Sequence, residues 1–172
     1  DYLGPAHDGV PISVDPENPL PFARPPRGTS RAQQQREFEL IGDLNRLSAA
    51  EYPHDVELQA RIASYELAFR MQRSLPEVFR FEQESAATHA LYGLDNKTSA
   101  YFGRQCLLAR RLVERGVRFV QLYSGGGHQQ ESWDAHHGLT ANHDVHCPET
   151  DRPMYGLLTD LKQRGLLDST LI

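Results

Sequence analysis

The chain has 172 residues, of which 39% are hydrophobic and 24% charged, with a formal net charge of −5. That composition fits a soluble globular domain with a core of its own, and argues against a disordered segment. The acid excess disfavours nucleic acid, which selects a basic face, and the apolar runs are too short to span a bilayer.

Residues 1–28 hold seven of the eleven prolines, which predicts an irregular, polyproline-like lead-in. His7 and Asp8 within it read as solvated loop residues. From 29 to 172 the chain reads as a helical segment followed by a βαβ unit. Thr29-Ser30 is a helix start, and Phe38, Ile41, Leu44 and Leu47 recur at helical spacing to about Ala49. Pro53 is expected to open a second helix, with Val56, Ile62, Ala63, Leu67, Phe69 and Met71 as its apolar stripe to about Gln72. The intervening Glu57, Arg61, Glu66, Arg70 and Arg73 fit a solvated face. Pro76 opens a turn, a weaker helix covers Glu82 to Tyr92, and Gly93 closes it as a left-handed cap. Tyr101, Cys106, Leu107, Ala109, Leu112 and Val113 line a further helix ending at Gly116. Cys106 and Cys147 have no paired spacing and read as ordinary small apolar residues.

Val117–Tyr123 alternates as a strand, and the closing Ser169-Thr170-Leu171-Ile172 reads as the start of another. A helix from about Pro153 to Arg164 would cross between them. The expected fold class is therefore α/β and helix-rich, several helices plus one right-handed βαβ unit of the doubly wound type. Unpaired strands at its margins would favour self-association through sheet edges. Both ends read as cut, so the chain is expected to be an internal fragment of a longer protein.

Between strand and helix, Ser124 to Asp151 collects five of the eight histidines and the only tryptophan. Loops at the carboxyl ends of strands are where open α/β sheets build sites. Asp134 and His136 point the same way in an extended segment, a workable half-site for zinc or another divalent ion. His143 and His146 share a helical face and serve either as further ligands or as acid–base groups. The plainer alternative is a set of hydrogen-bonding surface residues, with His137 facing outward and Trp133 covering the core. His128 is a weaker candidate. Pro148 and Pro153 predict a short turn over Leu139 to His146, and then a separate main helix capped near Thr150 or Asp151. No nucleophile signature accompanies these residues.

Several runs resemble a bacterial family of sulfatase-like proteins known as domain of unknown function 1501, abundant in planctomycetes. They are Asp55 to Gln72, Leu91 to Leu94, Cys106 to Gln121, Trp133 to His136 and Asp160 to Asp168. The resemblance implies an alkaline-phosphatase-like doubly wound fold that hydrolyses sulfate or phosphate esters at a divalent metal ion, zinc or calcium. It also implies export to the periplasm, because longer members carry a twin-arginine signal. The family's Trp-Asp-x-His motif falls on Trp133, Asp134 and His136, which makes Asp134 and His136 the implied metal ligands. The nucleophile and the remaining ligands would come from outside this stretch. The alternative reading is a non-catalytic helical binding or scaffold module with a His-rich loop.

Overall fold

The computed structural model describes residues 9–15, 30–125 and 133–172. Most of the Pro-rich lead-in, with His7 and Asp8, lies outside the described residues, as do Gly126, Gly127 and His128. The chain divides into two compact units, Asp1–Glu77 and Val78–Ile172.

In the first unit, helix α1 spans Arg31–Glu51. Ser30 caps it as expected, its Oγ accepting the Gln33 N–H at 3.1 Å. Helix α2 spans Val56–Val78. It starts later than predicted because Asp55 is the residue that caps it, with Oδ1 accepting the Leu58 N–H at 2.9 Å. It also runs through Pro76, where a turn was expected. The apolar stripe of α1 faces outward: Ile41, Leu44 and Leu47 are all exposed, as is Val56 at the start of α2. The side chains of Leu67, Phe69 and Met71 lie outside the described residues.

The second unit carries the well-packed core. A 3-10 turn, Phe81–Gln83, leads into α3, Ala86–Leu91. Ser85 caps α3 through its Oγ on Thr88 N–H at 3.0 Å. Gly93 follows with φ 67°, the left-handed closure that the sequence predicts. Helix α4 spans Ala100–Val113 and buries Cys106, Leu107, Ala109 and Leu112, while Tyr101 is exposed. Helix α5 spans Leu139–Gln163 and packs chiefly against α4, with α3 against its flank. Tyr92, Cys106 and Leu107 form the buried centre, enclosed by Phe81, Leu91, Leu94, Phe102, Leu122 and Leu157.

The expected βαβ unit is not formed: all regular structure among the described residues is helical. The α/β, doubly wound, alkaline-phosphatase-like fold class is thereby corrected to all-α. Residues 117–123 run between α4 and α5 outside any helix or strand. Leu122 packs on the core, while Phe119 and Tyr123 are exposed. A strand needs a neighbour to take its N–H and C=O groups, and none is provided among the described residues. The alternation in the sequence records a local preference without the pairing. At the chain end, Leu167–Ser169 is a 3-10 turn, and Leu171 and Ile172 are exposed instead of entering a strand. The sheet edges expected to drive self-association are accordingly not present among these residues. Helix α5 is also continuous where a break was expected, with Pro148 and Pro153 both inside it.

Charge is buried alongside the apolar core. Arg110, 2% exposed, meets Glu84 Oε1 at 2.8 Å, Glu114 Oε2 at 2.7 Å and Asp160 Oδ2 at 2.9 Å. Arg111 also binds Glu84, and Arg164 binds Asp160 and Glu114, each at 2.7 Å. Three guanidinium groups thus face three carboxylates with no residual charge, the condition under which ions tolerate burial. Burial lifts the Tyr92 phenol above its ordinary range, and the adjoining Asp160 charge lifts it further. The neutral hydroxyl donates to Asp160 Oδ2 at 3.0 Å. Replacing Tyr92 by Phe keeps the ring and removes this bond. We expect a loss of about 1.5 kcal/mol, because Asp160 retains both arginines. A urea melt of the variant measures it, and an unchanged midpoint would show that the hydroxyl contributes nothing.

Candidate functional site

The histidines are held by the segment between α4 and α5 and by the first two turns of α5. Trp133 sits at the centre. Its indole Nε1–H donates to Ser124 Oγ at 3.2 Å, tying together the two ends of the intervening stretch. Its ring lies 5.2 Å from that of His146, tilted at 34°, and 5.9 Å from that of His143, edge-on at 80°. Because His143 and His146 are three apart on one helix, both reach the same side chain.

Each of these histidines is oriented through one ring nitrogen. His143 Nδ1 lies 3.0 Å from the Leu139 carbonyl oxygen, and His146 Nδ1 lies 3.0 Å from Glu149 Oε2. His136 Nδ1 engages Asp134 Oδ1. A carbonyl or a carboxylate can only accept, so in the neutral rings Nδ1 carries the proton and Nε2 carries the lone pair. That is the arrangement in which metal-binding histidines are found: one nitrogen tied to an oxygen acceptor, the other left to coordinate. Imidazole donors suit zinc, whereas calcium takes oxygen ligands.

The surroundings differ. The His146 side chain is 16% exposed, whereas that of His136 is 81% exposed beside Asp134 at 40%. The predicted site residues therefore fall into two sets, a His143–Trp133–His146 cluster in which His146 is sheltered while Trp133 is exposed, and a solvent-facing Asp134–His136 pair. Among the described residues, no group of three or more His, Cys, Asp or Glu is placed to hold one metal ion. Sequence reasoning missed Glu149 and Ser124. The spacing of His146 and Glu149, three apart on a helix, was the available signal for the first. No sequence signal pointed to the Ser124–Trp133 bond, which closes between residues nine apart.

Cys106 is not placed to act as a nucleophile. Burial pushes the Cys106 thiol up to about 12, and it lies inside the core. No helix among the described residues is long and apolar enough to cross a membrane.

A family model, described as protein of unknown function (DUF1501), matches residues 1–172, the whole chain. The chain belongs to that family. The match carries no activity with it, and neither a curated protein nor a solved structure matches the chain.

Proposed function

We propose, from the sequence resemblance and the state of the histidines, that this chain supplies part of the site of a divalent-metal-dependent hydrolase acting on sulfate or phosphate esters. The observation that carries the reading is the common state of His136, His143 and His146, each with Nδ1 tied to an acceptor and Nε2 left as donor. His136 would hold the ion through Nε2, zinc by donor type, with Asp134, a direct ligand by the sequence resemblance, bonded instead to Nδ1 behind the ring. When bound, such an ion polarises the ester oxygen and lowers the pKa of an attacking water or hydroxyl group. His143 and His146 act beside it, as further ligands or as acid–base groups. Trp133 packs against both rings and shelters His146 from water, which preserves its orientation. The set is completed by donors beyond these four residues; His128 lies in the adjoining stretch, outside the described residues. Export from the cytoplasm belongs to the same proposal and rests on the sequence resemblance alone.

A second reading is a non-catalytic helical binding module. It is favoured by the exposure of the Asp134–His136 pair and by the lack of a three-ligand group among the described residues. His136→Ala in the full protein separates the two. Ester hydrolysis and zinc content are expected to fall together, by more than the roughly 10–100-fold that partners behind a ligand are worth. Hydrolysis that persists at the parent rate would leave only the binding module.

A further inference from the structure

We propose that Glu149 is a positioning residue that acts through His146, a role that rests on the site reading above but has a readout of its own. Its Oε2 lies 3.0 Å from His146 Nδ1. The two residues are three apart on α5, so the helix itself fixes their spacing. The His146 side chain is mostly sheltered and Glu149 is half-buried, so the pair is only partly screened by water.

The ring has two neutral tautomers, and the carboxylate stabilises only the one with hydrogen on Nδ1. Trp133 holds the ring from a second direction, at 5.2 Å between centroids. Glu149 therefore chooses which nitrogen donates, and Trp133 limits where the ring can turn. The outcome is an Nε2 lone pair held in one direction by the carboxylate behind the ring. His143 takes the same tautomer by a different route, through the Leu139 carbonyl, and so does not depend on Glu149. Backbone enforces one ring and a side chain enforces the other. Only the second can be removed by substitution.

The experiment has two arms, both on the full chain. Long-range proton–nitrogen NMR at about pH 8, above the ordinary imidazole pKa of about 6.5, reads the tautomer of each neutral histidine. Calorimetric titration with zinc alone reads affinity. In the unaltered protein, His146 is expected with hydrogen on Nδ1. Glu149→Ala should abolish that preference at His146, leave His143 unchanged, and weaken zinc binding roughly 10–100-fold. Glu149→Gln, whose amide oxygen still accepts, should restore the tautomer and most of the affinity. A general loss of structure would alter His143 as well, so His143 is the internal control. If the unaltered protein binds no zinc, the metal reading fails, while the NMR arm still decides the role of Glu149. A His146 tautomer that is the same in the parent and in Glu149→Ala overturns the proposal.

Discussion

Arg110→Met is expected to cost the second unit about 3–5 kcal/mol, the usual penalty for removing one partner from a buried ion pair. The side chain is 2% exposed and touches three carboxylates, from Glu84, Glu114 and Asp160. Burial alone would lower its pKa. Hydrogen bonds to Glu114 and then Glu84 outweigh that effect, so the guanidinium stays charged. Methionine fills much of the same volume, so the loss is chiefly electrostatic rather than a cavity effect. Arg111 and Arg164 would remain to neutralise three acids, leaving one negative charge uncompensated in a poorly solvated place. With folded domains stable by only about 5–15 kcal/mol in total, the loss is a large fraction of the whole.

The same network predicts acid sensitivity. Burial by itself would raise the Glu84 pKa, but hydrogen bonds and charge from Arg110, and then from Arg111, more than reverse this and hold it below its ordinary value of about 4.5. A carboxylate whose folded pKa is depressed stabilises fully above its unfolded pKa and loses that contribution as pH falls toward the folded value. Stability should therefore decline as pH drops below about 4.5. Arg110→Met should flatten that decline, because the folded-state preference for ionised Glu84 weakens. Urea midpoints followed by circular dichroism on either side of that pH measure both effects. A variant with the parent's midpoint and the parent's acid slope would show that these contacts do not hold the unit together.

What the sequence discloses depends on how local the determining interaction is. Ser30 and Gly93 were legible because a cap or a left-handed turn is decided within a few residues. The path of 117–123 was not legible, since an alternating run states which side chains face inward but does not supply a neighbouring strand. Pro148 and Pro153 misled in the opposite sense. Each removes a helical hydrogen bond at about 3 kcal/mol, and yet α5 stays whole. Its packing against α4 and α3, with Thr150, Pro153 and Leu161 buried, outweighs that local cost. At the site, composition alone marked the His-rich stretch, and one-face spacing joined His143 with His146. Which nitrogen each ring presents depends on Leu139, Glu149 and Asp134, and became visible only with the geometry. The charge network was hidden for a similar reason: Glu84 and Asp160 are far apart in the sequence, and their meeting at Arg110 depends on the packing of α5 against α4.

Gly103→Ala and Gly156→Ala should each destabilise the second unit, although alanine is the better helix former. In α4, a Cβ on Gly103 would collide with the Tyr92 carbonyl oxygen and meet Leu94 Cδ2 at 2.9 Å. In α5, a Cβ on Gly156 would stand 2.7 Å from the Leu91 carbonyl oxygen and 3.2 Å from Tyr92 Cα. The obstacles are largely backbone, so they cannot swing aside as a side-chain end can. Both helices close on Tyr92 at the end of α3, the residue that anchors the core and the ion network together. Overpacking of this kind costs roughly 1–3 kcal/mol or more, against a propensity gain of about 1 kcal/mol. Gly42→Ala in α1 is the control, because its new Cβ would meet only Arg46 Nη1, a flexible side-chain end, at 3.8 Å. That substitution should be neutral or stabilising by about 0.5–1 kcal/mol. The double variant tests whether the two helices lean on one point. Loosening α3 once relieves part of the second clash, so the combined loss should fall short of the sum. If Gly103→Ala and Gly156→Ala instead melt no earlier than Gly42→Ala, the close approach of α4 and α5 to the end of α3 is wrong.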